Sequence, residues 1–364
     1  MPAARKPAGR APADRLHAER LHAQLLAGPP AADAVAVARR LLAVQGQDPR
    51  GARLAVRARS AGVRAADVDR AMSEERTLLI TWLNRGTLHL VASEDYPWLH
   101  ALTTPPLRTA NARRLASQGI APDAAERAVA AIERSLEREG PLTRAQLRER
   151  IERADVPTDG QRLTELLMTA TLRGVAVRGP MHGSEHAYAL VRDWLGERAH
   201  VERERALAER ERALAELARR YLAGHAPADD RDLARWSGLP LRDARAGLGA
   251  IASELTQRAD GLLELSGRTR EQTPLPAPRL LGAFDPVLLG WLSRESLLAD
   301  AHLRLIVTAN GIFRPFALVR GRAVANWKIA AGEVVLTPFA HVARADEQAL
   351  RADGGAALRF LGLA

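Results

Sequence analysis

The chain reads as a mainly α protein with small β elements: three tandem units of helix, turn, helix and hairpin, then a small C-terminal β-rich unit. Three observations lead there. Apolar stripes with a helical period dominate the chain as far as Ala250. Short β-like stretches follow pairs of helices three times over. A Pro/Thr/Arg-rich loop, Arg268–Pro278, then separates this part from a run of strand-like segments. With 364 residues the chain is too long for one small core.

The elements follow in order. Residues 1–13 read as a frayed basic tail rather than a secretory leader, so a cytoplasmic location is expected. The first unit spans 14–118. Asp14–Ala27 forms a helix on Leu16, Leu21, Leu25 and Leu26, and Gly28-Pro29-Pro30 ends it. Asp33–Ala43, Gly51–Ser60 and Asp67–Glu74 are further helices. Thr77–Leu83 and Thr87–Ala92 read as strands around a turn at Asn84-Arg85-Gly86.

The second unit, 119–195, opens with a helix over Pro122–Glu139. Thr143–Arg153 follows, with Thr143 as N-cap and Gln146 three residues on, a capping-box pattern. Gln161–Leu172 stands where a recognition helix would. Gly174–Arg178 and His186–Leu190 are strands around a Gly-rich tip. The third unit, 196–278, has a long charge-laced helix over Val201–Ala223. Asp230–Trp236 and Arg242–Ala250 are helices about a Gly238-Leu239-Pro240 turn, and a β-like stretch starts at Asp260-Gly261. This outline, met three times, is that of a winged helix. The last unit, 279–364, has strands expected at Arg304–Thr308, Arg314–Val319 and Ala323–Ile329, and a terminal helix near Glu347–Ala352.

Composition narrows the function. Hydrophobic residues are 47% and charged residues 26%, the balance of a globular protein, and no apolar run is long enough to span a membrane. The absence of cysteine excludes disulfides, thiol nucleophiles, Cys-ligated zinc and iron–sulfur clusters. No cofactor, metal or obligate protein partner is called for. The net charge of +10 points to a polyanion, although all but two of the 53 basic residues (Lys6 and Lys328) are arginines, a skew that also fits coding bias.

Three segments carry candidate chemistry. In Ala43-Val44-Gln45-Gly46-Gln47-Asp48, an unwound helix end would let Gln45 and Gln47 converge on one water or one sugar; a capped helix end explains the same residues. Asp48 is a candidate auxiliary carboxylate, with capping as its other role. In Asn84-Arg85-Gly86-Thr87-Leu88-His89, Thr87 and His89 share one strand face beside Arg85, placed to hold a phosphate or to order a glutamine. His182-Gly183-Ser184-Glu185-His186 matches a zinc-peptidase spacing, but that chemistry needs both histidines on a helix and the flanks here are β-like. It reads as a wing tip that would bring Arg178, His182 and His186 near DNA. Phe284-Asp285-Pro286 and Trp327 read as packing and turn features.

These strings together resemble the bacterial winged-helix DNA glycosylase family of the azinomycin-resistance, interstrand-crosslink repair type. The resemblance rests on Leu42–Asp48, Trp82–Leu90, Leu280–Leu289 and Ala317–Trp327. It implies a concave face of three winged helices on double-stranded DNA, and glycosylase action on N7-alkylated purines, crosslinks being an extension of that class. It also implies that Gln45 and Gln47 are the catalytic pair. Gly46 departs from the family, which usually has an aliphatic residue there. A non-enzymatic winged-helix protein, a regulator or a lesion-shielding protein, remains the alternative.

Overall fold

Leu78-Leu79-Ile80-Thr81-Trp82-Leu83 is a nearly unbroken apolar run, and such a run suits a strand covered on both faces. The computed structural model describes residues 12–183, 185–196, 203–205, 208–268 and 275–364. In it this run is β2 (Leu78–Leu83), the middle strand of a five-stranded sheet. The others are β1 (Val44–Gln45), β3 (Thr87–Ala92), β4 (Ala176–His182) and β5 (Glu185–Leu190), in the order β1-β3-β2-β4-β5. The hairpins of the first two units thus join edge to edge, with β2 meeting β4 at Ile80 and Arg178.

The two faces of β2 feed two cores. Leu79 and Leu83 pack with Tyr96, Tyr221, Trp236 and Phe316. Leu78, Ile80 and Trp82 pack with Val68, Leu147 and Leu166. The first core draws on nearly the whole length of the chain, and the second spans the first two units.

About half of the chain is helical. The Thr143 capping box forms as expected, with Gln146 N–H donating to Thr143 Oγ1 and Thr143 N–H to Gln146 Oε1. Pro122–Glu139 is a helix as read, and Asp33 caps the helix Ala34–Leu41. Two helices, Tyr96–Thr103 and Pro105–Ser117, were not anticipated. Both carry proline in the first turn, where its missing N–H costs nothing. The β-like stretch that starts at Asp260-Gly261 holds a strand at its end, and Asp260-Gly261 itself is a turn. That turn joins the hairpin between β6 (Leu255–Gln257) and β7 (Leu263–Leu265). Residues 1–11, Ser184, much of the expected Val201–Ala223 helix start and the middle of the Arg268–Pro278 loop lie outside the described residues. No helix among the described residues is long and apolar enough to cross a membrane.

The C-terminal unit is a four-stranded sheet of β8 (Arg279–Leu281), β9 (Phe316–Val319), β10 (Arg322–Ala330) and β11 (Glu333–Pro338), in the order β11-β10-β9-β8. The helix Arg344–Phe360 packs on it through Leu350, Ala357 and Phe360, with Trp327 and Leu54. The strand expected at Arg304–Thr308 is instead a short helix, Leu303–Ile306, leading into a bridge between Val307 and Phe313. Its apolar run, Leu305-Ile306-Val307, is too short to distinguish strand from helix by itself.

Of the ion pairs that tie this unit to the first, one is fully buried. Arg59 and Asp285 are fully buried, 226 residues apart in sequence. All five guanidinium N–H groups are used. Nη1 and Nη2 donate to the two Asp285 oxygens at 2.9 and 2.7 Å, and the rest go to Gln24 O, Gln24 Oε1 and Ala55 O. Beside it, Gly51 and Gly282 meet backbone to backbone. A Cβ on Gly51 would overlap the Ala283 carbonyl.

Removing one partner leaves a buried, uncompensated charge. Arg59→Ala or Asp285→Ala is therefore expected to lower stability by about 3–5 kcal/mol in urea titrations. A loss under about 1 kcal/mol would show that the two units hold together without the pair.

Candidate active site

The segment that carries the two glutamines leaves the helix Ala34–Leu41 through Leu42, at φ 64°, and enters β1 on the edge of the five-stranded sheet. Val44 opposes Leu90, and Gln45 opposes His89, which in turn opposes Thr81 on β2. Gln45, His89 and Thr81 thus form a polar row across three strands, all buried, on the face that otherwise presents Leu79, Leu83 and Val91 to the core.

Gly46 N–H donates to Leu88 O at 2.7 Å. The Gln47 side chain then replaces the next backbone partner, its Oε1 accepting from Leu88 N–H at 3.1 Å. Its NH2 group makes no bond among the described residues, and the side chain is exposed. Gly46 suits this close approach, since a Cβ there would stand 3.3 Å from Leu90 N and 3.5 Å from Ile80 Cγ2. Asp48 is the N-cap of the helix Pro49–Arg57, accepting from Gly51 N–H at 2.5 Å, so its carboxylate is engaged in capping.

Arg85 sits in the β2–β3 turn between Asn84 and Gly86, both at positive φ. Its Nη1 donates to the Trp236 carbonyl, and its Nη2 reaches Gln45 Oε1 at 3.4 Å. The turn thereby docks on the third unit, where Gly238 lies so close that a Cβ would come within 2.9 Å of Asn84 O. His89 donates from Nδ1 to Thr87 O at 2.9 Å. Burial first, and then the Arg85 charge, push its pKa down to about 3, so it is neutral. Thr87 Oγ1 is buried without a hydrogen-bond partner among the described residues.

Gln45, Gln47, Arg85 and Thr87 line one cleft of about 310 Å³. Its other walls come from Arg235 on the helix Asp230–Ser237 and from Phe284, Leu289 and Arg294 in the C-terminal unit. The loop Asn310–Phe313 closes it. No carboxylate stands among the described residues that line it. Burial, ahead of the charges of Arg235 and Arg294, pushes the Arg85 guanidinium down to about 10.

The second hairpin lies elsewhere. The Arg178 guanidinium is 4.9 Å from both the Trp82 and Tyr188 rings and donates to Tyr188 Oη at 2.6 Å. His186 is buried, its pKa pushed down to about 4 mainly by burial. Only His182 is exposed. Arg178 and His186 are thus packed within the protein, where an exposed tip was expected, because Met181 N–H is tied to Ser73 Oγ at 3.0 Å and lays the hairpin on the helix Ala65–Ser73. The zinc-peptidase spacing falls on strands, and no metal-binding cluster occurs among the described residues. Phe284, read as a packing residue, proves to be a cleft wall held at φ 56°. Arg235, Arg294 and the Asn310–Phe313 loop were missed, for they come together only through tertiary packing.

A model of the family described as DNA glycosylase AlkZ-like matches residues 38–360. The chain belongs to the AlkZ-like DNA glycosylase family. Its AlkZ-like character extends to an interstrand DNA cross-link repair glycosylase of Streptomyces sahachiroi, 28% identical over 354 residues and 92% of each chain. The solved structure of the Streptomyces sahachiroi DNA glycosylase AlkZ superposes with a TM-score of 0.77 at 26% identity, over 97% of this chain and 98% of that one. Membership in an AlkZ-like enzyme family favours the glycosylase over a non-enzymatic DNA-binding protein.

Buried histidines give the fold an acid limit. His89, His100 and His225 are each pushed to about 3, chiefly by burial. The unfolded chain takes up these protons near 6.5 and the native state does not. Stability is therefore full above that pH and falls below it, by up to about 1.4 kcal/mol per pH unit for each histidine. The urea midpoint is expected to drop between about pH 7 and about pH 5, above the range where carboxylates titrate. An unchanged midpoint would mean that these rings protonate freely in the native state.

Proposed function

We propose that this DNA glycosylase hydrolyses the N-glycosidic bond of N7-alkylated purines in double-stranded DNA, crosslinked purines included, and that Gln45 and Gln47 position the attacking water. The observation that supports it best is their convergence on one cleft with no carboxylate in it.

The chemistry suits a weak catalyst. A purine alkylated at N7 carries positive charge. When its C1′–N9 bond breaks, the electron pair goes to N9 and the base leaves neutral, without prior protonation. The sugar becomes an oxocarbenium ion. Water adds at C1′ and releases a proton to solvent, leaving an abasic site. The protein's task is to orient that water, which two amide oxygens do by accepting its hydrogens. Arg85 steadies the Gln45 amide and Leu88 N–H the Gln47 amide. An uncharged base is a poor leaving group and would not respond to so mild a site. Lys328 lies on β10, outside the cleft lining, so no lysine amine among the described residues reaches C1′, which supports a monofunctional enzyme.

In this reading the helix pairs and hairpins of 14–118, 119–195 and 196–278 act as winged helices facing the duplex, and 279–364 supplies the far wall of the cleft. The test is a duplex with one N7-methylguanine, incubated with enzyme and then cleaved by alkali at abasic sites. Gln45→Ala and Gln47→Ala are each expected to lower single-turnover release by about tenfold or more, with DNA binding retained. Wild-type release no faster than the spontaneous rate, on this lesion and on a crosslinked duplex, would sink the assignment.

A further inference from the structure

Most buried or half-buried arginines among the described residues have an acid for a partner. Arg20 pairs with Asp232, Arg53 with Asp69, Arg57 with Asp353 and Arg220 with Asp95. The cleft is different. Arg235 makes no hydrogen bond or ion pair among the described residues and is exposed. Arg294 donates from Nε to Leu288 O at 2.6 Å, leaving Nη1 and Nη2 without partners among the described residues. Its guanidinium lies 5.7 Å from the Phe313 ring centre, against the cleft wall. Arg85 uses Nη1 and Nη2 within the protein, and its Nε has no partner among the described residues. Three like charges face one carboxylate-free cleft of about 310 Å³.

Such a cluster repels itself, and it also repels a cationic purine. Both penalties vanish when an anion enters with the substrate. Arginine is the side chain suited to that anion if it is a phosphodiester, because its planar fork matches two phosphate oxygens. Resting on the glycosylase reading above, we infer that Arg85, Arg235 and Arg294 form a subsite for the DNA backbone phosphate beside the damaged nucleotide. Occupancy of this subsite sets the sugar over Gln45 and Gln47 and offsets the positive field of the cleft. The enzyme then discriminates between chemically equal cations: N7-methylguanine in a duplex is accepted, and the free N7-methyl-2′-deoxyguanosine, lacking a phosphate, is not.

The experiment replaces one phosphate at a time, on either side of an N7-methylguanine, with an uncharged methylphosphonate. Binding is measured on duplexes whose 2′-fluoro sugar blocks hydrolysis, and single-turnover release on the 2′-deoxy series. At one flanking position the replacement is expected to weaken wild-type binding and release by about tenfold. The same replacement should cost Arg235→Ala and Arg294→Ala little further. Arg235 is exposed and unbonded, so its variant keeps the fold, and Arg294→Lys should recover part of the binding. Losses that simply multiply, or methylphosphonates without effect at both positions, overturn the subsite, as does release from the free nucleoside at a rate near that of the duplex. Binding that shows the coupling without any base release upholds the subsite and rejects the glycosylase reading. Release without coupling does the reverse.

Discussion

The Arg59–Asp285 pair sets the geometry from which the site follows. A guanidinium with all five donors engaged has one orientation, and its acceptors come from Gln24, Ala55 and Asp285. Arg59 stands just past the end of the helix that Asp48 caps, so one helix separates it from the two glutamines. Asp285 follows Phe284 and also accepts from Val287 N–H, fixing the bend that turns Phe284 toward the cleft. One buried contact therefore sets the distance between the amide side of the cleft and its aromatic side. Such pairs add little net stability, and their worth lies in admitting a single arrangement.

On the amide side, strand register does the positioning. Placing Gln45 opposite His89 puts it on the face turned to the first core, where an amide would be costly without partners. Arg85, the neutral His89 ring and the edge position of β1 make that placement tolerable. Gln47, two residues on, is free of the strand and extends the ladder with its side chain. One glutamine is held in the sheet and the other hangs from its end. That is how two residues separated by a single glycine reach the same volume.

Much of this was legible in the residues. The Thr143 capping box, the helix over Pro122–Glu139 and the strand Thr87–Ala92 rest on local signals, and they were read correctly. The cleft-lining residues of the first unit were legible through two short strings. What could not be read was anything decided by distant partners. The joining of two hairpins into one sheet depends on a single pairing at Ile80 and Arg178. Arg178 and His186 looked like groove-seeking residues because what covers them, such as the Trp82 ring against Arg178, is distant in sequence. Arg235 and Arg294 looked like two more arginines in an arginine-rich chain, and only packing distinguishes them from the rest.

The walls of the cleft come from residues 45–47, 85–87, 235 and 284–313, so no single stretch of chain contains a site. During synthesis the amide pair and the β2–β3 turn emerge early, while the C-terminal residues that complete the enclosure, from Phe284 on, emerge long after them. Until Asp285 meets Arg59, the nascent protein has its arginines but no chamber. Dependence on so distant a contact slows folding. A chain cut short before residue 284 lacks the whole side of the cleft formed by Phe284, Leu289, Arg294 and Asn310–Phe313.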